Sequence, residues 1–470
     1  AGLYVDQESY EQAFPYYQHA FTIAIGRVNT TPELLVKVSG NFCALRQTSN
    51  QPEAIFYCKI AVNALQKQRF ANKSLPMELQ HSFTKRVEDP YLLLNRLLSE
   101  STPSRATEAA EVLQALKDAE FRSFTRDQNP SSYQISLTSS EAALNTTLQE
   151  AGNRLHAQQS AQDALKKEKG SQAEIDRLDD RISIAKKHLH DAFTAIPARL
   201  KDTAQEAAKQ FKIDNSQFVR HLASLNAATP AEKNIILAIN AEAKNTQITT
   251  YFDKQPLQLS LAVGMDTFER LITDMRAGIQ AKNDTWRPPA KALYQLLIAP
   301  IEAQLAQKKL APQNITLYLS GRLRNLPLAA LLDANDKFLT EKYRLSQYTP
   351  GYGLTTGGDW QRNWDINAFG SALGKPSENL LALPGVVGEL AAVARTTNTP
   401  QGVLPGDIYL GPNFSRKTWG QAVAGRVAEN RRRVLHVATH FQLAENFYQS
   451  KLLLGDGLTF SAQELTAEQG

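Results

Sequence analysis

The chain has 470 residues and a mass of 52.1 kDa, enough for two or three domains with separate hydrophobic cores. Charged residues make up 21% and hydrophobic residues 42%, which is typical of a globular protein. The 52 basic and 47 acidic residues leave a net charge of +5. Over this length that excess indicates no nucleic acid or other anionic partner. No run of eighteen apolar residues occurs, so the sequence predicts no membrane partner.

The first residues, "AGLYVDQESY", have no methionine start, no basic segment and no apolar segment of the kind found in secretion signals. The pattern indicates a start that has been trimmed or processed. A signal peptide removed earlier is the alternative.

The chain contains two cysteines, Cys43 and Cys58. Two cysteines are too few for a disulfide framework, and neither lies beside a glycine-rich loop that would activate it. We therefore expect two buried core thiols and a reducing, cytoplasmic location.

Residues 1–125 are predicted to form antiparallel helix pairs, because small residues recur at the offsets that allow helices to pack closely. Tyr4 and Tyr17 accompany the first copy of this pattern. The small positions of three successive copies are Ala13 and Ala20, then Ala54 and Ala61, then Ala110. The pattern resembles tetratricopeptide repeats (TPR), although the second copy follows after 41 residues and the usual period is about 34. A generic helical bundle is the alternative.

Residues 139–212 are polar but keep a heptad-like apolar spacing, which predicts a helical hairpin or coiled-coil linker. The apolar positions of its two arms are Leu144, Leu148, Ala151 and Leu155, then Ile175, Leu178, Ile182, Ala185 and Leu189. The segment "KEKGSQ" interrupts them, so we expect the hairpin to turn near Gly170.

Residues 230–470 change to short apolar runs separated by helical segments, which predicts a mostly parallel sheet flanked by helices. The predicted strands are "IILAIN", "ITLYLS", "INAFGS", "VLHVATH" and "KLLLGD". Their glycine-containing connections lack the spacing of a phosphate-binding loop and are interpreted as turns. No cofactor is predicted.

Two histidines four residues apart, His436 and His440, lie in "RRRVLHVATHFQL". On a helix they would suggest a zinc site. The β-branched residues between Val434 and Thr439 favour a buried strand instead. At about 3.3 Å per residue the two imidazoles would then lie roughly 13 Å apart, too far for one ion. We expect His436 inside the strand, pointing into the core, and His440 at the strand end, where sites gather in such sheets.

Several phrases of the second half, taken together and in this order, resemble the CHAT family of caspase-like domains, which often follow tetratricopeptide repeats. They are "LSGRLRNLPLAALLD", "LALPGVVGEL", "GVLPGDIYLGPNFSR", "LHVATHF" and "KLLLGDGLTFSAQEL". The fold class implied is α + α/β: N-terminal helical repeats and a helical hairpin, then a caspase-like α/β sandwich with a mostly parallel sheet. Relatives of this kind include caspases and separase, which are cysteine endopeptidases.

The resemblance implies that His440 is the catalytic base and that the backbone N–H of Phe441 is a candidate oxyanion donor. Phe441 stands where many caspase-like sites have glycine. The family's nucleophile is a cysteine on the following strand, and residues 1–470 contain no cysteine there. Neither Cys43 nor Cys58 is a plausible substitute, so we expect the nucleophile beyond this chain.

The sequence therefore predicts a caspase-like cysteine peptidase that cleaves a protein or peptide substrate, with a regulatory protein partner bound to the repeats. Without its nucleophile, this chain alone is predicted to be inactive. The rival hypothesis is a non-catalytic interaction protein with a degenerate peptidase domain.

Overall fold

The computed structural model describes residues 10–26, 32–47, 49–71, 88–125, 134–212, 217–252, 256–319, 323–324, 326–347, 363–378, 380–424, 431–442, 450–461 and 464. The chain divides into two compact units. The first comprises residues 1–121 and 128–356, and the second comprises residues 122–127 and 357–470. Tyr4, which the repeat pattern includes, lies outside the described residues.

The first unit begins with helices and continues into an α/β region. Its first helices are α1 Tyr10–Ile25, α2 Pro32–Arg46, α3 Gln51–Ala71, α4 Glu88–Glu100, α5 Ala106–Thr125, α6 Ser139–Lys167, α7 Gln172–Thr194, α8 Ile196–Leu200, α9 Thr203–Gln210 and α10 Gln217–Ala228. The α/β region contains β1 Asn234–Ala241, β2 Thr246–Tyr251, β3 Leu257–Leu261, α11 Met265–Gln280, α12 Arg287–Leu297, α13 Ala299–Gln307, β4 Asn314–Leu319, α14 Leu339–Lys342 and β5 Arg344–Gln347.

Helices α1 to α8 share one hydrophobic core. Of the small residues of the sequence pattern, Ala13 and Ala54 belong to this core and Ala20 is half-buried against it. Ala61 is buried, and Ala110 is buried in a neighbouring cluster with α10 and the first sheet. Aromatic rings link both neighbouring and distant helices: Phe42 of α2 stacks on Tyr57 of α3 with 4.5 Å between centroids, and Phe21 of α1 meets Phe193 of α7 edge-on at 5.5 Å. The helical N-terminal region is confirmed, whereas its kinship to tetratricopeptide repeats stays a prediction.

Cys43 and Cys58 form a disulfide between α2 and α3, and both are fully buried. The prediction of two free thiols was therefore wrong. The sequence could not reveal the pairing, because it depends on α2 and α3 packing side by side. Helix packing brings the two Cα atoms to 5.1 Å, a normal separation for a disulfide.

Helices α6 and α7 confirm the predicted hairpin, and Gly170 lies in the turn between them. The first arm begins with a capping box, in which the Thr138 side chain accepts from the Glu141 N–H and the Glu141 carboxylate accepts from the Thr138 N–H. The second begins at Ser171, whose hydroxyl oxygen accepts from the Glu174 N–H. These caps satisfy backbone donors that the helix itself leaves without partners.

A buried network of four charges joins α3, α5 and α6. Lys59 contacts Glu108 and lies 2.6 Å from Glu141, while Arg105 lies 2.6 Å from Glu108 and 2.8 Å from Glu141. All four side chains are at most 1% exposed. Burial raises the pKa of Glu141, but the positive charges of Lys59 and Arg105 outweigh this effect and hold that pKa at about 2.

The five-stranded sheet of the first unit has the order β3-β2-β1-β4-β5. Strands β1, β4 and β5 are parallel, whereas β2 and β3 are antiparallel to their neighbours. Alternate residues of β1 face opposite layers: Ile235 and Leu237 pack with α11 to α13, and Ile236 and Ala238 pack with α10 and α5. Strand β2, with the sequence "TQITTY", was not predicted because most of its buried side chains are polar.

The second unit contains a four-stranded, fully parallel sheet with the order β7-β8-β6-β9. Its elements are β6 Asn363–Gly370, α15 Gly385–Val393, β7 Ala394–Arg395, β8 Leu404–Leu410, α16 Arg416–Ala424 and β9 Arg431–Ala438. A small antiparallel sheet follows, formed by β10 Phe441–Gln442, β11 Lys451–Leu453 and β12 Thr459–Ser461.

Both faces of the parallel sheet are covered, because successive residues of β6 point in opposite directions. Ile366 and Ala368 pack against Leu390 of α15, and Phe369 packs against Trp419 of α16. The predicted layered arrangement, with helices on both faces, is confirmed. Among the described residues, no helix combines the length and apolar character needed to cross a membrane.

Candidate active site

Strand β9 carries His436 and ends at Ala438, two residues before His440. The prediction that one histidine lies within a strand and the other beyond its end is confirmed. Strand β9 pairs in parallel with β6, and the register ends where Gly370 faces Ala438. His440 thus lies at the carboxyl edge of the parallel sheet, which is the edge where active sites gather in such folds.

Hydrogen bonds hold the backbone around His440 on both sides. The Thr439 hydroxyl donates to the carbonyl oxygen of Leu453 at 2.6 Å, and the Leu453 N–H donates to the carbonyl oxygen of His440 at 2.9 Å. On the other side, the Ser371 N–H donates to the carbonyl oxygen of Ala438 at 3.1 Å. The backbone that presents the imidazole is therefore held by the ends of two sheets.

The imidazole of His440 is half-buried, and its Nε2 atom lies 2.5 Å from the carbonyl oxygen of Leu381. A carbonyl oxygen only accepts hydrogen bonds, so Nε2 must carry the hydrogen. In the neutral ring, Nδ1 then keeps its lone pair and can accept a proton. This contact assigns the tautomer that a general base requires.

The loop that presents Leu381 connects β6 to α15 and is closed at its base. Lys375 and Leu380 exchange two backbone hydrogen bonds, at 2.9 and 3.1 Å, and the Leu383 N–H donates to the Ala372 carbonyl oxygen at 2.9 Å. The Leu381 side chain is 75% exposed, so the residue contributes its carbonyl group rather than core packing.

Glu378 links this loop to the segment after His440. Its carboxylate pairs with Lys375 at 2.5 Å and also accepts a hydrogen bond from the Gln442 side chain. The hydrogen bond from Lys375 is the largest influence, and with lesser ones from Gln442 and Lys451 it lowers the pKa of Glu378 below its usual range. The loop and β10 are thus held together by an ionised carboxylate.

His436 does not point into the core, so that prediction was wrong. Its Nε2 atom lies 2.9 Å from Oε1 of Glu389 on α15, and the two side chains are 29% and 50% exposed. A polar ring on a buried strand can reach the sheet margin and find a partner there. The sequence pattern gave no sign of Glu389, which lies 47 residues away.

Phe441 follows His440 directly and pairs with Leu452 across β10 and β11. Its side chain is 46% exposed. The structure places its backbone beside the candidate base, and its role as an oxyanion donor stays a prediction.

The two cysteines and the pair of histidines form neither a nucleophile nor a shared metal site. Cys43 and Cys58 belong to the first unit and are bonded to each other. His436 and His440 have different partners, and within the described part of the chain no group of three or more potential ligands is arranged to hold a metal ion. The Leu381 carbonyl was missed, although Leu381 lies in "LALPGVVGEL", one of the phrases that carries the resemblance.

Residues 287–469 match the family model of the CHAT domain. The match begins at α12 and extends through the second unit. The start of this domain that the sequence analysis places near residue 230 stays a prediction. No curated protein matches the chain. The chain therefore contains a CHAT domain, a caspase-like domain related to cysteine peptidases, over residues 287–469.

Proposed function

We propose that the CHAT domain of this chain belongs to a cysteine endopeptidase that cleaves a protein substrate. In this proposal His440 is the general base and the nucleophilic thiol comes from a cysteine outside residues 1–470. The single observation that supports it best is the 2.5 Å contact between Nε2 of His440 and the Leu381 carbonyl oxygen.

The chemistry follows from that contact. Nδ1 of His440 accepts the thiol proton, and the resulting thiolate attacks the carbonyl carbon of the scissile peptide bond. The ring is then an imidazolium ion, and the Leu381 carbonyl dipole stabilises its positive charge. The Phe441 N–H is proposed to donate to the oxyanion of the tetrahedral intermediate. The proton on Nδ1 passes to the leaving amine as the tetrahedral intermediate collapses to a thioester. Nδ1 then accepts a proton from water, which attacks the thioester carbonyl carbon, and returning this proton to the sulfur releases the new carboxyl group and restores the thiol and the neutral ring.

The proposal requires a nucleophile other than the described cysteines. Cys43 and Cys58 are fully buried and joined in a disulfide, so neither offers a thiolate. The CHAT domain itself contains no cysteine between residues 287 and 469.

We propose further that the N-terminal helical region binds a regulatory protein partner, whose binding switches the peptidase. The support is architectural: the first five helices contribute to one hydrophobic core, and repeat proteins built from packed helices bind partners along a helical face.

The test compares two forms of the protein on pooled peptide substrates. Residues 1–470 should hydrolyse none, because loss of one member of a nucleophile–base unit typically costs a thousandfold or more. The longest form that the gene encodes should hydrolyse some of them in a reaction that iodoacetamide blocks. The His440→Ala variant of that long form should be inactive.

The same experiment tests the rival function, a non-catalytic interaction protein. The lack of a cysteine in the matched domain favours this rival. A gene product whose cysteines are Cys43 and Cys58 alone, or an inactive long form that is correctly folded with its partner bound, would overturn the peptidase proposal.

A further inference from the structure

A groove with a volume of about 720 Å³ lies in the first unit, between α1 and the hairpin formed by α6 and α7. We call it the hairpin groove. Its walls are contributed by residues 15–23 of α1, 152–163 of α6 and 179–193 of α7. Ligand-binding cavities commonly have volumes of about 300 to 1,000 Å³, so the groove is large enough for a ligand.

A close contact between two glycines sets one end of the groove. A Cβ atom at Gly26, the residue after α1, would lie 2.5 Å from the carbonyl oxygen of Gly152, so the chain at the end of α1 touches the backbone of α6. At 1.5 Å per helical residue, the walls on α1 and α6 are roughly 12 and 16 Å long. An extended peptide rises about 3.3 Å per residue, so four or five residues fit this length.

The groove is lined by side chains that suit peptide groups. Three imidazoles, one from each helix, reach it: His19, His156 and His190. A neutral imidazole donates at one nitrogen and accepts at the other, and the amide groups of Gln18 and Gln159 do both as well. This mixture of donors and acceptors matches the N–H and C=O groups of a peptide backbone.

The floor of the groove is apolar and already covered. Leu155, Ile182 and Phe193 line it, and each is about 5 or 6% exposed. An aliphatic side chain of a ligand could contact this floor, but binding would bury little additional apolar surface of the protein and so would gain little free energy from it. Polar and charged contacts must therefore supply most of the specificity.

The charges in the groove favour a cation. Asp163 and Asp179 line it together with a single lysine, Lys186. The carboxylate of Asp179 accepts a hydrogen bond from Nε2 of Gln162 at 2.6 Å, which orients it. With the imidazoles neutral, the lining has two negative charges against one positive charge.

We propose that the hairpin groove binds an extended peptide segment that carries one lysine or arginine side chain, with that side chain at Asp163 and Asp179. The backbone of the segment is held by the imidazole and amide side chains of the walls. The groove lies within the first unit, so this site is independent of the peptidase proposal.

The experiment measures binding of fluorescent peptide pools to residues 1–470 by anisotropy. The pools are N-acetylated, C-amidated hexapeptides of random uncharged sequence with arginine, alanine or glutamate at one central position. The arginine pool should bind about fivefold more tightly than the alanine pool, the gain expected of a partly exposed ion pair, and the glutamate pool should bind most weakly. Asp163→Asn and Asp179→Asn should each reduce the preference for arginine.

Asp180→Asn is the matched control, because Asp180 is an exposed neighbour of Asp179 that does not line the groove. It should leave binding unchanged. His156→Ala should weaken the binding of the arginine and alanine pools to the same extent, since the imidazole is proposed to hydrogen-bond the peptide backbone. Circular dichroism melts establish that each variant is folded. Three outcomes would overturn the proposal. The three pools could bind equally, or Asp180→Asn could have as large an effect as Asp163→Asn. Equimolar spermidine could also displace the arginine pool.

Discussion

The Nε2 atom of His440 lies 2.5 Å from the carbonyl oxygen of Leu381, although 59 residues separate them in sequence. This contact holds the imidazole through its Nε2–H group and leaves Nδ1 as the basic nitrogen. In the long form of the protein, His440→Ala should abolish peptide cleavage. Its free energy of unfolding should fall by less than about 1.5 kcal/mol, because a half-buried ring loses one hydrogen bond. Thermal melts and cleavage assays on one preparation check this prediction, and an active variant of normal stability would show that His440 is not the base.

His436 and Glu389 form a partly exposed pair, which leads to a different expectation for these residues. His436→Ala and Glu389→Gln should each change the free energy of unfolding by no more than about 1 kcal/mol, because water screens a partly exposed pair. Urea unfolding of the two variants measures this change. If the pair is the main interaction lost, the double variant should have the same free energy of unfolding as each single variant. A decrease of several kcal/mol in His436→Ala would instead indicate that the ring packs in the core.

The buried charges around Glu141 make stability depend on acidic pH. The pKa of Glu141 is about 2 in the folded chain, and its ordinary value is 4.5. A carboxylate whose pKa is lower when folded stabilises the fold above its ordinary pKa, and this stability is lost as pH falls from about 4.5 to 2. The free energy of unfolding should therefore decrease as the pH is lowered through that range. Glu141→Gln should remove the share of this decrease that the Glu141 carboxylate causes.

Glu141→Gln should also destabilise the chain by about 3 to 5 kcal/mol at neutral pH, because Lys59 and Arg105 lose a buried negative partner. Glu174→Gln is a suitable control, since Glu174 is an exposed residue at the start of α7. Comparable melting temperatures for Glu141→Gln and the unchanged chain would mean that the network contributes little.

Gly152 and Gly40 are both helical glycines of the first unit with opposite surroundings. A Cβ atom at Gly152 would lie 2.9 Å from the Gly26 nitrogen and 2.6 Å from Cγ2 of Ile25, whereas one at Gly40 meets nothing within 4 Å. Gly152→Ala should therefore destabilise the chain by about 1 to 3 kcal/mol through overpacking. Gly40→Ala should stabilise it by about 0.5 to 1 kcal/mol, because alanine favours the helix. Chemical denaturation of both variants measures the free energy of unfolding, which should fall in Gly152→Ala and rise in Gly40→Ala.

The disulfide between Cys43 and Cys58 predicts how the purified chain reacts with alkylating agents. Denatured without reductant, residues 1–470 should incorporate no iodoacetamide, and after reduction they should incorporate two equivalents. Replacing both cysteines by alanine should cost about 3 kcal/mol, since the bond closes a loop of 15 residues. Mass spectrometry measures the labelling, and two labels without reductant would mean that the thiols are free.

Local pattern determined much of this fold. The alternation between short apolar runs and helical segments predicted strands β1, β4, β6, β9 and β11, and the heptad spacing predicted the hairpin with its turn at Gly170. These features depend on which residues are apolar and how they are spaced, so they can be read without knowing what packs against them. The position of His440 just after a strand is also a feature that local sequence spacing predicts.

Tertiary structure alone decided the partners of individual side chains. Leu381 and Glu389 lie 59 and 47 residues before the histidines they contact, and the Cys43–Cys58 bond requires two helices to pack side by side. The polar strand β2 is buried because its neighbours cover it, although its own sequence does not predict a core position. Such contacts arise from the path of the whole chain, since hydrogen bonds and disulfides depend on distances in space that residue spacing along the sequence does not specify.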